Sequence, residues 1–235
     1  MEKLIETGLS QLGLSPAPGS AAKLARYGQL LLEQNKVMNL TAITEPDQVA
    51  CLHMLDSAAL LRYADFAGHS LIDVGTGAGF PGLVLKILVP SLRLTLLDGL
   101  KKRLDWLERV CRDLDLEGVV FLHARAEEES LKPLYRDRYD FATARAVASM
   151  NMLCEMCLPY VRVGGHFLAM KSVDSDQELS QAAHAISLLG GKVVDSQAYP
   201  IPHTDVRHRV ISVEKTAPTP KGYPRRWAKV QKAPL

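Results

Sequence analysis

The sequence predicts an α/β protein: a mostly parallel, seven-stranded sheet covered by helices on both faces, with a helical extension ahead of it. Three observations predict it. From residue 70 onward, short apolar runs alternate with longer stretches of helical periodicity. A glycine-rich turn follows the first of those runs immediately. Before residue 67 the periodicity is helical only.

Taken in order, Leu24, Tyr27, Leu30 and Leu31 recur at helical spacing. Val49, Leu52, His53, Leu60 and Leu61 do the same after the start signal Glu45-Pro46-Asp47. Residues 35–44 between them are too polar and interrupted to continue a helix. Residues 1–66 therefore form a helical N-terminal extension. Residues 67–216 carry strands at 70–74, 93–97, 119–123, 139–144, 166–170, 192–197 and 210–214. Helices are predicted at 83–89, 101–114, near 150–158 and at 177–189, the last ending on Gly190-Gly191. Strands separated by helices run parallel, whereas the last two have no helix between them and are free to pair antiparallel. Residues 217–235, rich in Pro, Lys and Arg, read as a basic tail, extended or mobile.

Composition narrows the class. The 235 residues are 47% hydrophobic and 23% charged, the balance of a soluble globular domain. Residues 221–235 hold five cations (Lys221, Arg225, Arg226, Lys229, Lys232) and no acid. Taking those five charges from the net +2 leaves the rest of the chain at −3, so a small basic tail hangs on a slightly acidic body, suited to phosphate contact. No segment has signal-peptide character and none approaches the ~18 apolar residues of a membrane span. A cytoplasmic protein with no membrane partner is expected. The cysteines (Cys51, Cys111, Cys154, Cys157) are sparse. Cys154-Glu-Met-Cys157 lies in a helical pattern without a second pair or a His at ligand spacing, so it reads as small apolar helix residues, and no metal is expected.

The chemistry concentrates in Leu71-Ile-Asp73-Val-Gly75-Thr-Gly77-Ala-Gly79-Phe80-Pro-Gly82. A strand running into a glycine turn and then a helix presents backbone N–H groups at the carboxyl edge of a sheet, where nucleotides bind. Two details oppose a dinucleotide. The pattern G-x-G-x-x-G would need Gly where Phe80 stands. Asp73, two residues before the first glycine, would repel a pyrophosphate but attract the sulfonium and amino groups of S-adenosylmethionine. The loop is no P-loop, because no Gly-Lys-Ser/Thr follows. Asp98 ends the second strand, from which a carboxylate accepts hydrogen bonds from ribose hydroxyls; a helix cap is the alternative role. Arg125-Ala126-Glu127 follows the third strand, where an adenine-contacting loop belongs, with a solvated surface acid as the alternative for Glu127.

At this point the motifs resemble a family. Asn39-Leu-Thr-Ala-Ile-Thr-Glu45, His53-Met-Leu-Asp56-Ser57 and Asp73-Val-Gly-Thr-Gly-Ala-Gly-Phe-Pro-Gly82 look like successive signatures of RsmG/GidB. Leu96-Leu-Asp-Gly-Leu-Lys-Lys-Arg103, Arg125-Ala-Glu127, Ala144-Arg-Ala-Val-Ala-Ser149 and Ala169-Met-Lys171 continue the series over nearly the whole chain. The resemblance implies a class I S-adenosylmethionine-dependent methyltransferase fold, Rossmann-like, that makes 7-methylguanosine in a decoding-region loop of 16S ribosomal RNA. Its implied partner is that RNA, expected within the small ribosomal subunit; the chain itself is expected to be a monomer. Carried over by motif, Gly75, Gly77 and Phe80 line the cofactor, Ala126 and Glu127 contact its adenosine end, and Arg145 closes the site. Asn39, His53 and Lys171 are the polar candidates nearest the substrate. The tail departs from the family: Tyr223-Pro-Arg-Arg226 continues as Trp227-Ala-Lys-Val-Gln in place of a Gly-Thr-Pro stretch. The family's Arg before the last strand aligns with Arg207, His208 or Arg209 alike.

Guanine N7 carries an in-plane lone pair and no proton at neutral pH, so its methylation needs collinear placement and no general base, an effect worth roughly 7–11 kcal/mol in favourable cases. The stretch after the fourth strand, Ala144-Arg145-Ala146, lacks the Asn/Asp-Pro-Pro-aromatic tetrapeptide of exocyclic amino methyltransferases. Arg145 suits a phosphate or a cofactor carboxylate, with a strand-end salt bridge as its alternative. His53, without the resemblance, is a packing histidine. Three other readings stand beside this one: an NAD-dependent oxidoreductase, opposed by Phe80 and Asp73, a non-catalytic nucleotide- or RNA-binding module, and a small-molecule methyltransferase.

Overall fold

The computed structural model describes residues 1–145 and 148–235. Helices α1 (Glu2–Gln11) and α2 (Ser20–Met38) open the chain. A continuous helical run follows: α3 (Pro46–Val49), a π-helical stretch Ala50–Leu55, α4 (Asp56–Ala58) and a 3-10 turn Ala59–Arg62. The sheet strands are β1 (Ser70–Val74), β2 (Arg93–Asp98), β3 (Val119–His123), β4 (Tyr139–Arg145), β5 (Val161–Ser172), β6 (Gly191–Pro200) and β7 (Arg207–Lys215). Between and after them lie α5 (Gly82–Leu88), α6 (Lys101–Asp113), α7 (Ala126–Glu129), α8 (Met150–Cys157), α9 (Asp176–Gln181), α10 (Ala183–Leu188) and α11 (Trp227–Lys232).

The seven strands stand in the order β3-β2-β1-β4-β5-β7-β6. All neighbours are parallel except β7, which runs antiparallel to β5 and β6. The chain therefore reverses direction of growth at β1, between β2 and β4, and a crevice opens there above the carboxyl ends of the strands. Side chains of β1 alternate faces: Leu71 enters one core, Ile72 and Val74 the other.

The first core is shared between the sheet and the N-terminal helices. Ile5, Leu9, Leu24, Tyr27, Leu31, Met54 and Leu55 pack in one cluster with Leu71, Leu83, Leu94 and Leu107. The i, i+3, i+7 positions Leu24, Tyr27 and Leu31 put α2's apolar stripe on this side. Helix α6 contributes Leu104, Trp106, Leu107, Val110 and Cys111, all buried, each large side chain worth about 1.5–3 kcal/mol of transfer free energy. On the other face α8, α10 and the C-terminal residues cover Ile72, Val74, Phe167 and Ile211.

Four sequence expectations change in detail, the first being that α2 runs on to Met38, into the stretch from residue 35 expected to interrupt it. Strand β5 begins at Val161, so Gly164-Gly165 lies inside it, where a side chain on Gly165 would meet the Asp140 carbonyl at 2.5 Å. The helix expected over 177–189 is broken at Ala182 into α9 and α10. The tail is not simply extended: it forms α11, and Arg225 clamps the buried Glu155 of α8 through its backbone N–H, Nε and Nη2 at 2.7–2.8 Å. Cys154 and Cys157 are both fully buried in the second core, where burial pushes their thiols up. Among the described residues no helix is long and apolar enough to cross a membrane.

Candidate active site

Loops leaving the carboxyl ends of β3, β2, β1 and β4 enclose a cavity of about 650 Å³. In sheet order its walls are residues 124–127, then residues 97–100 with Arg103, then residues 75–78 with Phe80, then Arg145. Leu40, Thr41 and His53 close it from the N-terminal side; Met156 and Trp227 close it from the second core. Four strands at about 4.8 Å spacing span roughly 14 Å, the length of a nucleoside carrying an amino-acid side arm.

The glycine loop is held by backbone and carboxylate contacts. Gly75 and Thr76 donate their N–H groups to the Leu97 carbonyl at 2.9 and 3.0 Å. Gly77, on the cavity wall, adopts φ +59°, a region closed to most side chains, and a Cβ there would meet only the Gly75 carbonyl oxygen, at 3.9 Å. The Gly77 N–H reaches Asp98 Oδ2 at 2.9 Å, Arg103 donates to the same oxygen at 3.3 Å, and Asp98 Oδ1 accepts from Leu100 N–H at 2.8 Å. Oδ2 thus has both lone pairs engaged, whereas Oδ1, with one donor, keeps capacity for a ribose hydroxyl.

Asp73 is fully buried and absent from the cavity wall. Its Oδ2 accepts from Thr76 Oγ1 at 2.7 Å and Gly82 N–H at 3.0 Å, bracing both ends of the loop. Its Oδ1 has no hydrogen-bond partner among the described residues. Burial lifts this carboxyl to about 6 against the pull of those two donors. A buried, under-satisfied carboxylate behind the loop favours a cationic ligand in front of it. The residues present thus fit S-adenosylmethionine.

At the β4 end, Arg145 organises a polar cluster. Its Nη1 donates to Asp56 Oδ2 and the Leu52 carbonyl, both at 3.1 Å, and its Nη2 meets His53 Nδ1 at 2.9 Å. A guanidinium only donates, so Nδ1 accepts and the His53 proton sits on Nε2, which donates to Thr41 Oγ1 at 2.8 Å. Burial and the Arg145 charge push His53 down to about 3, so the ring is neutral. It stacks on Phe80 at 4.6 Å and 14°, and the Arg145 guanidinium lies 5.0 Å from the same phenyl ring. Asp56, wholly buried, also accepts from Tyr199 Oη at 2.7 Å and His208 Nδ1 at 2.9 Å. Burial opposes its charge, but His208, Arg145 and Tyr199 together hold it below the usual carboxylate range.

A model of the family described as rRNA small subunit methyltransferase G, GidB, matches residues 20–206. The chain belongs to this family. Relatives called ribosomal RNA small subunit methyltransferase G are 44% identical in Alkaliphilus metalliredigens, over 99% of this chain and 98% of that one, and 42% identical in Acetivibrio thermocellus, over 100% and 97%. Among solved structures, the pyocyanin biosynthetic protein PhzM superimposes with a TM-score of 0.57 at 14% identity, covering 78% of this chain and 61% of that one. A SAM-dependent O-methyltransferase of Thermotoga maritima gives 0.54 at 17%, covering 81% and 73%. These likenesses establish the class I methyltransferase fold of this GidB chain.

Of the residues singled out from the sequence, Gly75, Gly77, Phe80, Asp98, Ala126, Glu127, His53 and Arg145 all line the one cavity. Lys171 does not: it lines a neighbouring cleft of about 230 Å³ with Glu178 and His208, meeting the first cavity only through Arg145. Its Nζ pairs with Glu178 at 2.6 Å and the Ala148 carbonyl at 2.8 Å. Asn39 is exposed at the left-handed end of α2, in a groove with Asn35 and Lys36. Asn35, which the sequence reading passed over, fixes that segment by accepting from Leu40 and Thr41 N–H and donating to the Thr41 carbonyl. Ala146 and Val147 of the Arg-Ala-Val-Ala-Ser motif lie outside the described residues. Asp56, Thr41, Tyr199 and Trp227 were missed as site residues. Asp56 did carry a signal, an acid three positions from His53 on an otherwise apolar helix face. Of the three candidates near β7, His208 reaches the cluster, while Arg209 pairs with the exposed Asp176.

Proposed function

We propose that this chain transfers a methyl group from S-adenosylmethionine to N7 of a guanosine in 16S ribosomal RNA. One observation carries the reading: a cavity across four strand ends, with a buried acid behind its glycine loop at one side and a neutral, fully committed histidine at the other. The cofactor, when bound, supplies an electrophilic methyl on a sulfonium. The chain's own residues then orient. Asp98 and residues 124–127 hold the adenosyl half, and the glycine loop backs the sulfur. Phe80, His53 and Arg145, layered on one another at the β4 end, form the wall against which the guanine is held.

His53 takes no proton in this scheme. Its Nδ1 lone pair is occupied by Arg145 and its Nε2–H by Thr41, and N7 has no proton to give. Catalysis comes from placement. Asn39 and Lys171, outside the cavity but flanking it, contact the RNA around the target nucleotide. We assign residues 1–66 to RNA-facing support, residues 67–216 to methyl transfer and residues 217–235 to a docked basic segment, in a chain that works as a monomer in the cytoplasm on the small subunit.

Labelled S-adenosylmethionine is incubated with undermethylated small subunits and, separately, with their deproteinised RNA. Label should enter 16S RNA at a single guanosine whose backbone becomes cleavable after alkali and aniline. Label on an exocyclic amine, or none in RNA, would overturn the proposal.

A further inference from the structure

We propose that Trp227, carried in by the C-terminal segment, is a cofactor-binding residue that covers the adenine. The inference rests on the cofactor reading above and adds a residue from outside the sheet domain. The cavity's polar markers order the ligand: the acid-backed glycine loop lies at β1, Asp98 at β2, and residues 124–127 at β3. A ribose at Asp98 therefore sends its base toward β3 and Ala126, which shares the second core with Met156 and Trp227, the residues that close the cavity from that core. Of these only the indole offers a flat aromatic face for a purine.

Trp227 is positioned rather than merely nearby. Two residues before it, Arg225 makes its three-fold clamp on Glu155, whose side chain is 1% exposed. Three residues after it, Val230 is fully buried. Arg136 fastens the approach by donating to the carbonyls of Thr219, Pro220 and Tyr223. These anchors leave the indole partly exposed, on the cavity wall. A side chain needed only to fill the second core would need none of that exposure.

The test is titration with S-adenosylhomocysteine, followed by calorimetry and by tryptophan emission, on the full chain and on W227L and W227F. The only other tryptophan, Trp106, is buried beside Tyr27. W227L keeps apolar bulk and should raise Kd about tenfold, the effect of losing one base–aromatic stack. W227F should stay within about threefold. Emission should change on binding in the unmodified chain and stay level in W227F. With RNA as substrate, W227L should raise KM for the cofactor and leave kcat unchanged. Thermal unfolding without ligand confirms that each variant is folded. If the unmodified chain binds but W227L binds equally well, with emission unmoved, the inference fails alone. If the unmodified chain does not bind, the cofactor reading falls and takes this inference with it.

Discussion

Burial acts on His53 and Asp73 in opposite senses. His53 falls from 6.5 to about 3, so between those values the unfolded chain binds a proton that the folded chain refuses, and its share of stability is lost as pH falls through 6.5. Asp73 rises from 3.8 to about 6, so the folded chain binds the extra proton, and its share of stability is lost as pH rises from 3.8 through 6. Over pH 4–6 the two slopes oppose each other. Thermal unfolding across that range should therefore separate the variants: His53→Asn loses stability as pH rises, Asp73→Asn loses it as pH falls. Each slope is about 1 kcal/mol per pH unit. Parallel profiles for the two variants would remove this account of the site's charges.

At the level of elements, one buried ion pair ties the C-terminal segment to α8, beside the Arg136 contacts and the buried Val230. Glu155 sits on α8 with its side chain 1% exposed, and all three of its close contacts come from Arg225. Arg225→Ala leaves a buried carboxylate short of a cation and should cost about 3–5 kcal/mol. The double variant Glu155→Leu with Arg225→Met removes both charges and should recover to within about 1 kcal/mol of the unmodified chain. Urea unfolding measures both. A single variant costing less than about 1 kcal/mol would mean the tail is held by something else.

For the whole molecule, the N-terminal helices and the sheet have no separate interiors. Tyr27 is fully buried, stacks on Phe80 at 5.3 Å, and donates its hydroxyl to the Ala78 carbonyl of the glycine loop. The extension thus completes the wall of the cavity as well as the core. The intact chain should unfold in one cooperative transition. A chain lacking residues 1–38 should show no cooperative transition and should precipitate, because Leu83 and Leu107 lose their cover. A truncated chain that melts sharply near the original temperature would contradict a shared core.

The strands, the glycine turn and the acids Asp73 and Asp98 were legible in the sequence because each is a local pattern: apolar periodicity, a run needing positive φ, an acid at a strand end. So was the line of residues along the cavity, since parallel topology brings successive strand ends side by side. What the chain alone could not show is how Arg145, Asp56, Tyr199 and His208 satisfy one another, or that Arg225 meets Glu155 and brings Trp227 to the cavity. Those partners stand 70 to 152 positions apart. The proton on His53, the charge on Asp56 and the docking of the tail follow from desolvation. That depends on which groups close around a side chain, so only the packed tertiary structure decides them.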